Sequence, residues 1–144
     1  MPGWSYTNQG LPSDPLRIDS VSVTPDPLKP GSAATLRIGG TVQREIKDGA
    51  YFDLTIKLGL VKLLQRRFDL FEELRGGGSE ALRLSCDTSD GKGPVPVGGT
   101  VLTAVIDLPG DVPRGKFKLQ VRACTVDDDD LAALDLDVDL MPTR

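Results

Sequence analysis

The side chains that could do acid–base, nucleophilic or metal chemistry in this chain are carboxylates and thiols. Four consecutive aspartates stand at Asp127–Asp130, adjacent glutamates at Glu72 and Glu73, and the two cysteines at Cys86 and Cys124. The chain has no histidine. It therefore cannot form a Ser-His-Asp triad or the usual mixed His/Cys zinc site, and it lacks an imidazole base near neutral pH.

The spacing of these groups matches no ligand-binding or catalytic pattern. The run Asp127–Asp130 lacks the alternate spacing, central glycine and distal glutamate of a calcium loop, and a solvated turn between two strands accounts for it. Glu72 and Glu73 would point to opposite faces of a strand and could not flank one substrate atom. Without a histidine to activate them, Cys86 and Cys124 are interpreted as buried thiols or as a mutual disulfide. We predict no catalytic residue, no metal site, no cofactor and no enzymatic activity.

Length and charge narrow the class of protein. The 144 residues include 17 basic and 21 acidic side chains, a formal net charge of −4. The acidic excess lies near the C-terminal end, and no basic stripe typical of nucleic-acid binding is present, so we expect no nucleic-acid partner.

The longest mainly apolar run, Leu58–Leu64, contains Lys62 and is far shorter than the roughly 18 residues of a membrane helix. We expect one domain over 1–144, with its core over about 6–140.

Alternating apolar and polar side chains predict strands along most of the chain. In one example, Phe52, Leu54 and Ile56 alternate with polar neighbours, which places the apolar side chains on one face. The predicted strands cover 17–24, 34–43, 50–60, 63–71, 100–108, 116–126 and 131–140, with a short one near 81–86. Turns rich in proline and glycine separate them. Seven or eight such strands predict an all-β fold, an antiparallel β-sandwich.

Two stretches are less regular. Residues 75–99 are rich in glycine and predict a long flexible loop with at most a short strand inside. Residues 63–74 also fit a helix, because Leu64, Phe68 and Phe71 stand three and four residues apart. Each strand has one aliphatic face, and alternation alone is compatible with a solid core or with an apolar cavity between two sheets.

Five longer segments carry a family resemblance: IDSVSVTPDPLKPG (18–31), GTVQREIKDGAYFDLTIKLGLVKLL (40–64), FDLFEEL (68–74), LPGDVPRGKF (108–117) and ACTVDDDDLAALDL (123–136). They resemble the ML lipid-recognition family, in particular its phosphatidylglycerol/phosphatidylinositol transfer branch, which is related to the small Niemann-Pick type C sterol carrier. The resemblance implies an immunoglobulin-like sandwich that holds a phospholipid in an apolar cavity between its sheets and transfers it between membranes, with transient membrane-surface contact. We expect a monomer. A sterol ligand, or a closed core that serves as a protein-interaction module, is the alternative.

The resemblance also implies where the ligand lies. As a group, the following side chains are expected to line the cavity: Leu36, Ile38, Phe52, Leu54, Ile56, Leu58, Phe68, Leu102, Ile106, Phe117, Leu119, Val121 and Leu136. The segment Gly93–Gly98 resembles the family's cavity mouth, and its residues Pro94, Val95 and Val97 are expected there, with the valines exposed. Lys62, Arg66 and Arg67 form the densest basic group and are the expected headgroup contacts.

The chain departs from the family at its cysteines. Gln9, Phe71, Gly93 and Ala133 stand where the family usually carries cysteines that form two disulfides. By resemblance, one bridge would join the N-terminal segment to the last strand, and the other would close the loop after Phe71. The family's secreted, vacuolar or endolysosomal location is one expectation, and the absence of both cysteine pairs and of a signal peptide keeps the cytosol as the other.

Overall fold

Two antiparallel sheets face each other in the computed structural model, which describes residues 4–24, 31–76, 82–108, 110–111 and 114–140. The elements in chain order are β1 (Trp4–Asn8), β2 (Leu16–Thr24), β3 (Ala33–Val42), β4 (Tyr51–Leu58), β5 (Val61–Asp69), α1 (Leu70–Leu74), β6 (Leu82–Cys86), β7 (Gly98–Asp107), β8 (Lys116–Cys124) and β9 (Asp130–Asp139). The predicted β-sandwich is confirmed. Parts of the proline- and glycine-rich turns predicted between strands lie outside the described residues, namely 25–30, 109 and 112–113. Residues 77–81 also lie outside them, and these include Ala81 of the predicted short strand.

The strand order brings distant segments together. The five-stranded sheet has the order β1-β9-β8-β4-β5, and the four-stranded sheet has the order β2-β3-β7-β6. Strand β1 was not predicted, because the alternation of Trp4 and Tyr6 with Ser5 and Thr7 extends over only five residues. It pairs with β9 from Trp4 opposite Val138 to Asn8 opposite Leu134. The described residues therefore form nine strands, which corrects the predicted seven or eight.

The inner faces of the sheets form the core. Across β4 and β8, Leu54 lies opposite Val121 and Phe52 opposite Ala123, so the alternation places aliphatic side chains of neighbouring strands side by side. Buried side chains gather in two clusters at opposite ends of the sandwich. One contains Phe71, Val42 and Leu131, and the other contains Phe117, Leu136, Val138 and their neighbours.

A short helix closes one end of the sandwich and corrects the prediction for 63–71. Strand β5 ends at Asp69, whose side chain accepts a hydrogen bond from the backbone N–H of Glu72 and caps α1. The helix residue Phe71 points into the core and is buried there. Glu72 and Glu73 therefore lie on a helix rather than on a strand, so the opposite-faces argument does not apply to them.

The aspartate run lies in a turn, and the two cysteines lie on strands of different sheets. Asp127–Asp130 spans the turn from β8 into β9, where Thr125 Oγ1 accepts hydrogen bonds from the backbone N–H groups of Asp127 and Asp129. Both cysteines are free and only partly buried, so the interpretation as buried thiols is wrong. A mutual disulfide is also excluded, because Cys86 lies on β6 and Cys124 lies on β8 of the other sheet. Over the described ranges, no cluster of three or more acidic or cysteine side chains is arranged to hold a metal ion.

Candidate functional site

An apolar cavity of about 130 Å³ lies between the two sheets. Seven strands on both sheets contribute most of its wall, with further residues from the loop before β4, from α1 and from the segment before β7. The wall consists of Leu16, Ile18, Leu36, Ile38, Ile46, Tyr51, Phe52, Leu54, Leu70, Leu82, Leu84, Val95, Thr100, Leu102, Ala104, Ile106, Leu119, Val121, Ala123, Leu131, Ala132, Ala133 and Leu134.

Small side chains at the centre of the sheets account for the empty space. Ala104 on β7 lies between Leu36 on β3 and Leu84 on β6, and Ala123 on β8 lies between Phe52 and Ala132. A methyl group spans little of the roughly 10 Å between packed sheets, so each of these alanines leaves a gap in front of it. The surrounding leucines and isoleucines then form an aliphatic wall around that gap.

Two residues of this wall, Tyr51 and Thr100, carry hydroxyl groups, and both hydroxyls already have partners. Tyr51 donates a 2.7 Å hydrogen bond to Asp128 Oδ1, and this bond, with the Cys124 thiol beside it, raises the pKa of Tyr51 above its usual range. Buried Thr100 donates to Asp87 Oδ1 at 3.0 Å and lies 3.1 Å from Cys86 Sγ. Because these hydroxyls bond outside the cavity, the described wall suits an apolar ligand.

The structure brings eight of the predicted lining residues together on this wall. They are Leu36, Ile38, Phe52, Leu54, Leu102, Ile106, Leu119 and Val121. The other five lie elsewhere. Ile56, Leu58, Phe117 and Leu136 pack in the core cluster at the end of the sandwich where β4 turns into β5. Phe68 is stacked on Phe52, with their ring centroids 5.1 Å apart, and does not reach the cavity wall.

Several wall residues were missed at the sequence level. Leu16 and Ile18, and likewise Leu82 and Leu84, stand two apart in strands, so the same alternation could have identified them. Ile46 carries no such signal, because it lies in the connection between β3 and β4 and reaches the wall through backbone pairing with Val95.

The predicted mouth segment divides into buried and exposed residues. Val95 exchanges two backbone hydrogen bonds with Ile46, at 2.9 and 3.0 Å, and is buried in the cavity wall. The expectation that Val95 is exposed is therefore wrong. Val97 is exposed as expected, and Pro94 is exposed beside it.

The side of the sandwich bounded by β5 and β6 is the least covered. Each of these strands ends its sheet, and within the described segments no close backbone approach joins them. Leu64 lies opposite Ile56 and Arg66 opposite Leu54, which places both on the inner face of the five-stranded sheet. Both side chains are nevertheless exposed, because the four-stranded sheet does not extend over them.

The three predicted headgroup contacts point in different directions. Arg66 lies on the inner face over the Phe68 ring, 4.9 Å from its centroid, and no described carboxylate lies within ion-pairing distance of it. Arg67 lies on the outer face, where its Nε is 2.8 Å from Asp53 Oδ1 and its guanidinium covers the Tyr51 ring. Lys62 lies near the β4–β5 turn and donates to Gln65 Oε1 at 2.9 Å.

The amino-acid sequence is similar to a known domain family and to proteins from two fungi. The ML domain family model matches residues 9–140. A phosphatidylglycerol/phosphatidylinositol transfer protein of Cryptococcus neoformans var. neoformans is 41% identical over 138 residues, which is 96% of this chain and 71% of that protein. The protein of the same name from Mycosarcoma maydis is 35% identical over 136 residues, 94% of this chain and 65% of that protein.

A solved structure shares the architecture. The crystal structure of the C-terminal domain of wzt has a TM-score of 0.56, with 14% sequence identity, and the match covers 100% of this chain and 83% of that one. At this identity the likeness concerns the fold alone. No helix in the described part of the chain is long and apolar enough to cross a bilayer.

Proposed function

Because this chain belongs to the ML domain family, we propose that it binds a phospholipid by its acyl chain in the cavity between the sheets and transfers it between membranes. The observation that carries this proposal is the almost wholly aliphatic wall of an internal cavity. The relatives' name specifies phosphatidylglycerol and phosphatidylinositol, so an anionic glycerophospholipid is the proposed cargo.

The hydrophobic effect supplies the affinity. Burial of each methylene stabilises by about 0.8 kcal/mol, so an acyl chain of about fifteen methylenes gains on the order of 12 kcal/mol before ordering costs are subtracted. The wall needs no polar partner for this gain. A protein without any catalytic group can therefore hold such a ligand.

Loading requires the cavity to widen. Its volume of about 130 Å³ is below the roughly 300–1,000 Å³ of typical small-ligand pockets. The uncovered side between β5 and β6 is the proposed entrance, because the sheets can separate there without breaking a strand pair. An acyl chain entering between Leu64 and Leu84 would then reach the level of Ala104.

Arg66 is the proposed headgroup contact at this entrance. It combines an inner-face position with the lack of a described ion-pair partner, so its guanidinium can bind the lipid phosphate at the rim. Arg67 is already bound to Asp53 on the opposite face and contributes less.

A cavity-filling substitution tests the proposal. Ala104→Phe places a ring in the gap, and Ala33→Phe adds the same ring at an exposed position of β3. We expect Ala104→Phe to lower uptake of fluorescent phosphatidylglycerol by at least about ten-fold, because even partial blocking of the cavity costs more than 1.4 kcal/mol of methylene burial. Ala33→Phe should transfer lipid like the unmodified protein, and circular dichroism should show that both variants fold.

Native mass spectrometry of the unmodified protein separates the alternatives. A co-purified phospholipid mass supports the proposal. A sterol mass, or extraction of sterol but not of phospholipid from vesicles, would assign the cavity to the alternative ligand. A ligand-free mass together with no uptake of either lipid would favour a closed-core interaction module.

A further inference from the structure

The hairpin between β4 and β5 exposes a group of aliphatic side chains that the core does not use. Leu60 is fully exposed at its tip, Val61 is 61% exposed, and Leu63 and Leu64 are also exposed. We define these four residues as the hairpin tip. Isolated exposed leucines are ordinary, but a contiguous aliphatic group on one projecting loop is typical of an interaction site.

The turn geometry holds this group away from the sandwich. Leu58 pairs with Val61, so Gly59 and Leu60 form a two-residue loop, and Gly59 has a φ of 60°. Glycine at the first loop position with a positive φ is typical of a type II′ hairpin turn, which continues the twist of both strands. The second loop position requires no apolar side chain. Leu60 is therefore not needed for folding there and is available for contact.

A row of lysines lies on the other side of the same hairpin. Lys57 on β4 is directly opposite Lys62 on β5 and directly opposite Lys118 on β8. Like charges at opposed positions destabilise a sheet, so this row lowers the stability of the fold. Asp137 lies 3.6 Å from Lys118 Nζ, whereas no described carboxylate forms an ion pair with Lys57 or Lys62.

Groups of opposite charge lie at the two ends of β4. Lys57 lies at the C-terminal end of this strand, whereas Tyr51 at its N-terminal end is bonded to Asp128 in the Asp127–Asp130 turn. The basic hairpin and the acidic turn therefore lie at opposite ends of the sandwich. In the field of an anionic surface, this arrangement orients the hairpin toward the surface and the acidic turn away from it.

We propose that the hairpin tip and the lysine row dock this protein on anionic phospholipid bilayers, with Leu60 and Val61 inserted among the lipids and Lys57 and Lys62 against their headgroups. The inference rests on the proposed function, since docking serves lipid exchange. Val61 and Leu64 lie on the same sheet face as Phe52 and Leu54 of the cavity wall. The inserted side of the hairpin is thus continuous with the proposed entrance between β5 and β6.

Vesicle flotation with two matched pairs of variants tests this assignment. Leu60→Asp is paired with Leu11→Asp, because both are exposed leucines outside strands, and Val61→Asp is paired with Val101→Asp, because both are exposed valines within strands. On vesicles of phosphatidylcholine with phosphatidylglycerol, we expect Leu60→Asp and Val61→Asp to bind at least about ten-fold more weakly. Leu11→Asp and Val101→Asp should bind like the unmodified protein.

The lysine row has its own test. Lys57→Gln and Lys62→Gln should each lower binding to the anionic vesicles by about five-fold and leave binding to pure phosphatidylcholine vesicles unchanged. Arg44→Gln and Lys47→Gln alter exposed cations in the connection before β4, at the far end of the sandwich, and serve as charge-matched controls.

Several outcomes would overturn the assignment. These are unchanged binding of Leu60→Asp, equal loss of binding in Val61→Asp and Val101→Asp, equal binding with and without phosphatidylglycerol, or equal loss in Leu60→Asp and Leu11→Asp. As a readout that does not depend on a disruptive substitution, Leu60→Trp in a Trp4→Phe background should show a blue shift of its emission on the anionic vesicles, and no shift would contradict insertion.

Failure of docking and failure of the proposed function give different results. Uptake of a monomeric short-chain fluorescent phosphatidylglycerol, measured without vesicles, reports on the cavity alone. Leu60→Asp should load this lipid normally while extracting little long-chain lipid from vesicles. If neither the unmodified protein nor any variant loads the monomeric lipid, the proposed function is wrong. Vesicle flotation would still test the docking of the hairpin tip independently.

Discussion

At the scale of single residues, the hydrogen bond from Tyr51 to Asp128 joins the start of β4 to the acidic turn. Asp128 is the one described residue other than glycine with a positive φ, 65°, and in this conformation its carboxylate accepts the Tyr51 hydrogen bond. Asparagine tolerates the same left-handed backbone, so Asp128→Asn can remove the charge and retain the turn. This substitution isolates the electrostatic part of the contact.

The pKa of Tyr51 provides the corresponding prediction. A neighbouring carboxylate disfavours phenolate, so an ultraviolet titration should show one of the two tyrosines ionising well above pH 10, the ordinary value. Asp128→Asn should move this ionisation to lower pH, whereas Asp129→Asn should move it little. Tyr51→Phe identifies the residue, since it should abolish the high-pH step. A titration unchanged by Asp128→Asn would show that the hydrogen bond does not set the pKa.

At the scale of elements, α1 closes the cavity end that lies away from the hairpin. It is only five residues long, so its stability comes from its cap and from the burial of Leu70, Phe71 and Leu74 rather than from helix propensity. Asp69 supplies the cap through a 3.1 Å hydrogen bond from the backbone N–H of Glu72. The end of β5 and the start of α1 are thus determined by one side chain.

Removal of this cap should destabilise the fold measurably. We expect Asp69→Ala to lower the free energy of unfolding by about 1 kcal/mol in urea titrations, whereas Asp69→Asn, which retains an acceptor oxygen, should lose only a fraction of that. Equal stability of Asp69→Ala and the unmodified protein would indicate that burial of Phe71 alone holds the helix.

At the scale of the whole molecule, β1 joins the start of the chain to its last strand. The N–H of Gln9 donates to the carbonyl of Ala133 at 3.0 Å, and the Gln9 side chain donates to Asp135 Oδ2 at 3.2 Å. Gln9 and Ala133 are two of the positions where the resembled family usually carries cysteines. Opposed residues of an antiparallel pair have Cα atoms about 4.5–5.5 Å apart, within the range that a disulfide spans.

A bridge at these positions should stabilise the molecule as a whole. We expect Gln9→Cys combined with Ala133→Cys to raise the free energy of unfolding by about 2–4 kcal/mol under oxidising conditions, because the bridge closes a long loop in the unfolded chain. Reduction should abolish the gain, and the single variant Gln9→Cys should show none. A destabilised oxidised form would mean that the backbone at Gln9 and Ala133 does not accommodate the bridge.

The amino-acid sequence by itself determined the class of fold and the chemistry of the interior. Alternation with period two predicted the two-sheet sandwich, because a pleated strand places every second side chain on the same face. The expectation of a cavity, and of the eight predicted residues that lie on its wall, came from the family resemblance. The lack of histidine excluded the catalytic centres and metal sites that require an imidazole. Sequence pattern did not reveal β1 or the buried position of Val95, because both depend on backbone pairing between segments distant in the chain.

Only the tertiary structure decided which inner-face residues meet at a gap and which pack in solid core. Leu54 and Ile56 have the same periodicity on the same strand, yet Leu54 lines the cavity and Ile56 packs in the core cluster beside Phe117 and Leu136. The difference arises from what lies across the sandwich at each level. How the two sheets stack decides which side chains face each other across the sandwich, and no local pattern encodes that correspondence.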